Sequence, residues 1–321
     1  MLSRVAEAIF WMSRYLERAE NIARFIDVNW HMSLDHRPNK EFNQWEPLVK
    51  VTGDEDVFAG RYNVSSKENV IRFLTLDTEY PNSIISCLRA ARENARTVRE
   101  IIPVELWEQI NTFHHMVENI EQTEENIYDN PYDFCDSVKL RGMMLGGIAN
   151  DTMNHGEEWH FFRLGRLLER ADKTSRILDV KYFILLPDVN YVGTAYDDTQ
   201  WAALLRTTDA LNAYRQRFGR ISPEQVVEFL MLDRNFPRAI LYCLLKAQQS
   251  LHSITETPLN TFHNPAEQRL GKLAGKFAFL SPETVMKRGL HEFTDHFQTD
   301  LNEVGQAIAE TFFGYTTGSK E

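Results

Sequence analysis

The stretch IFWMSRYLERAENIARFIDV, residues 9–28, decides the fold class. Ile9, Met12, Leu16, Ala19, Ala23 and Ile26 follow one another by alternating steps of three and four. That spacing lays them along one face of an α-helix. The helix is expected from about Ser3 into the low thirties, with His36-Arg37-Pro38-Asn39 as its stop. Polar and charged residues border this stripe: Ser13, Glu17, Glu20, Arg24 and Asp27 on one flank, Arg14 and Arg18 on the other. They sit at the margin of a core, not on its solvated far side.

The same text returns 152 residues later as FFRLGRLLERADKTSRILDV, residues 161–180, with nine identities in twenty. Glu17-Arg18 aligns with Glu169-Arg170, Arg14 with Arg166 and Arg24 with Arg176. A second block, 66–88, recurs at 222–244 with eleven identities in twenty-three, Asp77, Pro81 and Cys87 returning as Asp233, Pro237 and Cys243. Two blocks in the same order indicate an internal duplication. The expected architecture is all-α, about twelve helices in two duplicated halves with pseudo-twofold symmetry. It forms one domain over 1–314, with halves of about 1–155 and 156–314, and a tail at 315–321.

Other boundaries follow from punctuation. Ser65-Ser66-Lys67-Glu68 reads as a capping box, and Pro81 as the first turn of a helix to about Ile101. Single helices are expected over 197–218 and 282–314. Gly142 and Gly146, one turn apart, mark a place where a neighbour comes close. Only 15 Gly and 11 Pro occur in 321 residues, which suits long helices and not a many-turned β-sandwich.

Composition narrows the function classes. Thirty-five basic against 46 acidic residues give a net charge of −11, the wrong sign for a nucleic-acid or basic membrane-surface protein. No apolar run reaches a membrane span, and charges at Arg4, Glu7 and Arg14 break the pattern of a signal peptide. Cys87, Cys135 and Cys243 are odd in number and widely spaced. They read as buried apolar thiols in a reducing cytoplasm.

Nucleotide, hydrolase and zinc-protease signatures are missing from the sequence. His291-Glu292 and His296 have the wrong spacing for a ligand pair. Glu157-x-x-His160 has no second copy to complete a di-iron set. No cofactor and no metal are expected. The arginines Arg89, Arg92, Arg96 and Arg99 form a row of like charge on one helix face, absent from the second half. Two accounts stay open: an internal ion-pair lattice with Glu17, Glu20, Glu93 and Asp27, or an anion-accepting cleft lined by Arg92, Arg96 and the Glu17-Arg18 helix.

Ser13–Glu20, Ala91-Arg92-Glu93-Asn94-Ala95-Arg96 and Trp159…Asp172 resemble the bacterial Alpha-E domain, a helical family with a Glu-Arg motif. The resemblance runs from residue 1 to about 314 and includes the Asp77…Pro81 and Asp233…Pro237 elements. Around its first proline the chain has Tyr80 and Asn82, whereas Phe236-Pro237-Arg238 follows the family pattern more closely. The resemblance implies a circularly permuted ATP-grasp protein as partner and a transglutaminase-like protein as a second. It implies a role in amide ligation, with a structural scaffold or an independent helical enzyme as alternatives. Its candidate residues are Glu17, Arg18, Arg92, Glu93, Arg96, Glu169 and Arg170.

Overall fold

A computed structural model describes residues 1–34, 45–122, 127–185 and 195–314. The chain is all-α. Its helices are α1 (Ser3–Leu34), α2 (Glu46–Thr52), α3 (Glu55–Ala59), α4 (Lys67–Thr75), α5 (Ile84–Thr97), α6 (Val104–Gln122), α7 (Tyr132–Thr152) and α8 (Glu157–Leu185), followed by α9 (Ala195–Thr207), α10 (Leu211–Phe218), α11 (Pro223–Val227), α12 (Ile240–Thr255), α13 (Pro265–Ala278), α14 (Pro282–Arg288) and α15 (Leu290–Ile308). No strand occurs among the described residues, and no helix there is long and apolar enough to cross a membrane.

Helices α1 and α8 form the centre. They pack on each other, α1 also lies against α5 and α7, and α8 lies against α12 and α15. Every residue of the α1 stripe is buried, as are Phe161, Leu164, Leu168, Ala171, Ser175 and Leu178 on α8. Close approach depends on small residues. A methyl group at Gly165 would overlap the carbonyl oxygen of Phe10 and the Ser13 hydroxyl, and one at Gly142 would overlap Glu20.

Among the described residues fifteen helices stand where about twelve are expected, because two long segments break and α3 adds a short turn. Between α9 and α10 the backbone of Asp209 takes φ 53°. Arg24 stabilises that unusual turn: its Nη1 donates to the Thr207 carbonyl at 2.7 Å and pairs with the Asp209 carboxylate at 2.8 Å. Between α14 and α15, Gly289 adopts φ 93°, which only glycine takes without strain. Pro81 does not open α5. Ser83 is the N-cap, its Oγ accepting from Ser86 N and donating to the Asp77 carbonyl at 2.6 Å. The helix therefore starts three residues later, at Ile84. The expected stop at 36–39 and the tail lie outside the described residues.

The three cysteines are buried free thiols. Burial pushes Cys87 and Cys243 up to about 12, so they remain protonated and apolar at neutral pH.

Candidate functional site

Where α1 crosses α8, the two Glu-Arg pairs exchange partners. Glu17 accepts from Arg170 Nε and Nη2, both at 2.8 Å, and from Arg166 Nε at 2.9 Å. Glu169 accepts from Arg18 Nε at 2.7 Å, Arg18 Nη2 at 3.1 Å and Arg14 Nε at 2.8 Å. Each glutamate is bound by arginines of the other helix, and both carboxylates are fully buried. The border position read from the sequence is the cause: a long side chain beside the apolar stripe reaches across the interface to a charged group on the facing helix.

Further groups extend this clasp. Arg238, which precedes α12, reaches the Glu17 carboxylate at 3.5 Å and Asn21 Oδ1 at 3.2 Å, and pairs closely with Glu20. Arg24 pairs with Glu20 at 2.9 Å. On the other side, Lys173 lies 3.4 Å from Glu169 and 2.8 Å from Asp172. Arg176 joins Asp172 at 3.0 Å and donates to the Val51 carbonyl at 2.7 Å, at the C-terminal end of α2. The i,i+4 pairs Glu20–Arg24 and Asp172–Arg176 are thus embedded in a larger network.

Burial alone would raise the Glu17 carboxyl, but Arg170, Arg166 and Arg238 reverse this and hold it well below the ordinary range. Glu169 behaves likewise: burial raises it, and Arg18, Lys173 and Arg14 lower it further than burial lifts it. Burial acts first on Arg238 too, and the neighbouring Arg24 adds to it, so its guanidinium is pushed down to about 10. Glu17 and Glu169 are therefore ionised at neutral pH, and their oxygens are occupied. A general base needs a carboxyl free to take a proton near working pH, and neither residue meets that need.

The structure brings Glu17, Arg18, Glu169 and Arg170 together. It does not bring Arg92, Glu93 or Arg96 to them. The face of α5 that meets α1 is apolar, through Ile84, Leu88, Ala91 and Ala95, so the arginine row turns away. Arg92 donates to Asn111 on α6 at 2.6 Å, and the Arg92 and Arg99 guanidiniums lie over the Trp107 ring at 5.8 and 5.6 Å. Arg96 is 62% exposed and pairs with Glu93 at 2.8 Å. The carboxylates expected to face this row are taken elsewhere: Glu17 and Glu20 as above, Asp27 by Lys139 at 2.7 Å. A cleft joining Arg92 and Arg96 to the Glu17-Arg18 helix is therefore corrected to two separate places.

Arg238 and Lys173 enter the clasp without a sequence signal beyond the Phe236-Pro237-Arg238 element. Asn82 closes the remaining Arg18 donor, its Oδ1 accepting from Nη1 at 2.5 Å. Among the described residues, His114, His115 and Glu118 on α6 bring one potential metal-ligand atom each within 4.8 Å of one another. Burial lowers the His114 imidazole, Glu118 opposes this, and Arg92, His115 and Arg89 reinforce it.

A family model, Alpha-E, described as a predicted α-helical domain with a conserved ER motif, matches residues 1–313. Uncharacterized proteins of Mycobacterium bovis and of two Mycobacterium tuberculosis strains are each 25% identical to the chain over 277 residues. These alignments cover 78% of the chain but 30% of each relative, so the chain spans less than a third of the length of the curated relatives it matches. No solved structure matches.

Proposed function

The chain belongs to the Alpha-E family, and from that premise we propose that it is the helical partner and acceptor-binding unit of an ATP-grasp amide-ligation system. A circularly permuted ATP-grasp protein is its principal partner, and a transglutaminase-like protein a second. In such a system the ATP-grasp protein makes an acyl phosphate and couples it to an amine. The helical unit is left to hold and present the acceptor. An ATP-dependent ligase works where ATP is held, so this reading carries a cytoplasmic location with it.

The observation that carries the reading is the closed clasp. Both motif glutamates are consumed in holding α1 to α8, which favours a rigid binding body over an independent enzyme. The 30% share of the longer relatives suits a unit that operates beside other polypeptide. The duplication belongs to the same proposal: two copies of one helical unit meet at the clasp about a pseudo-twofold axis. Aligned contacts support it. Arg61–Asp77 corresponds to Arg217–Asp233, and Arg24 on the Thr207 carbonyl corresponds to Arg176 on the Val51 carbonyl.

The test is co-purification of the chain with the ATP-grasp protein, followed by ATP-dependent amide formation with and without it. Amide formation should require the chain. A complex that leaves the rate unchanged would favour the scaffold alternative, and absence of both complex and rate effect would reject the partnership.

A further inference from the structure

One turn before Arg166 on α8, Arg163 is half-buried with no acceptor for its guanidinium among the described residues. Its partner there is the face of Trp159, 5.1 Å from the ring centroid. Burial pushes the group below its ordinary value, which a neighbouring anion would reverse. Arg163 lines a pocket of about 150 Å³ with Arg166, Arg170, Asn150, Tyr242 and Gly146. A water's share of liquid volume is about 30 Å³, so the space suits a carboxylate or phosphate group and is too small for a nucleotide.

The clasp leaves donors over at this pocket. Arg166 spends Nε on Glu17, and Arg170 spends Nε and Nη2. The Nη1 of each has no hydrogen-bond acceptor among the described residues. On the other side of the clasp the donor matching Arg170 Nη1 is closed, because Arg18 Nη1 bonds Asn82, whereas Arg14, like its counterpart Arg166, bonds through Nε. The position aligned with Asn82 is Arg238, a cation that cannot accept. Gly146 gives the Arg166 guanidinium its room, since a methyl there would overlap it.

Charge leads to the same place. Arg24, Arg166, Arg170 and Arg238 surround Glu17 and Glu20, with Asp209 as the third carboxylate. Four guanidiniums meet three carboxylates, and at the pocket itself Arg163 adds a cation while Asp151, which accepts from the Asn150 Nδ2 at 3.0 Å, adds a carboxylate at the rim. Unfilled donors with surplus positive charge beside a cavity are what an oxyanion satisfies.

We propose that this pocket binds a small oxyanion, a carboxylate or phosphate head group, through Arg163, Arg166 and Arg170, with Asn150 at the rim and Trp159 and Tyr242 as flanking rings. The site lies on α8, away from the α5 arginine row. It stands apart from the amide-ligation reading, because binding is measured on the chain alone.

Calorimetric titration of the purified chain at low salt, with inorganic phosphate and separately with acetate, tests it. Saturable one-site binding of either probe is expected, and the tighter probe names the head group. Arg163→Gln and Asn150→Asp should each weaken it at least about tenfold, the loss of one charge-assisted contact or the addition of one repulsive charge. Arg96→Gln should leave Kd within about twofold. Thermal melts of each variant verify folding. Should Arg163→Gln not fold, the exposed Asn150→Asp decides alone by the same criterion. The proposal is overturned if neither probe binds the wild type, if the deciding variant binds as the wild type does, or if Arg96→Gln weakens binding as much as the pocket variants.

Discussion

Glu17→Gln removes one negative charge from the clasp while keeping the side chain's volume, so no cavity forms. Three bonds of 2.8–2.9 Å from Arg166 and Arg170 would lose their ionic acceptor. A charge-assisted bond exceeds a neutral one by about 1 kcal/mol, giving about 3 kcal/mol for the three. Arg238 at 3.5 Å also loses part of its compensation, so the expected cost is about 3–5 kcal/mol, in line with breaking a buried ion pair from one side. In a chain of this size, 1 kcal/mol moves Tm by roughly 2 °C, so the melt should fall by about 6–10 °C. The control is Glu93→Gln, whose exposed pair with Arg96 is worth under about 1 kcal/mol. A cycle combining Glu17→Gln with Arg170→Met should show a coupling above about 1 kcal/mol. A Glu17→Gln melt within 1 °C of wild type (rule of thumb, about 0.5 kcal/mol) would refute the claim that the clasp holds α1 to α8.

Three other outcomes follow from the same geometry. The carboxyls of Glu17, Glu169 and Asp172 are depressed in the folded chain, Asp172 to about 2 after burial is outweighed by Arg176 and Lys173. The unfolded state thus binds more protons in acid. Stability should be complete above the ordinary carboxylate range near pH 4 and fall as pH drops toward 2. Melts from pH 6 to 2 follow it, and a flat profile would contradict the buried pairs. Gly165→Ala gains helix propensity but drives a methyl into the Phe10 carbonyl, and should lower stability by about 1–3 kcal/mol in a thermal melt. Arg96→Ala should change stability by less than about 0.5 kcal/mol; a larger loss would restore the arginine row to a structural role.

Much of the centre was legible because a helix converts spacing into direction. The six stripe positions of each central segment are all buried, Ser175 included, and the residues bordering them reach across to a neighbour. The partner's identity was not legible, since Glu17 meets Arg166 and Arg170 through a crossing that local spacing does not encode. The α5 arginine row does not meet the carboxylates of α1, although both stripes advance by steps of three and four. Ile84, Leu88, Ala91 and Ala95 carried the better signal, because the apolar face is the one that packs on α1. Gly289 could have marked the break before α15. Asp209 could not, for its turn is held by Arg24, distant in sequence.

The exchange of partners in the clasp also sets an order of events during synthesis. Glu17 waits for arginines 149 and 153 residues further along the chain. At about 5–20 residues per second, that wait is roughly ten to thirty seconds. During it the stripe of α1 has no α8 to cover it, and the nascent first half carries Arg14, Arg18 and Glu17 without their eventual counter-charges. Contacts so far apart in sequence come late and slow the closing of the core. The first half is therefore the part of the chain that gains most from a chaperone, or from any surface offering it the charges that α8 later supplies.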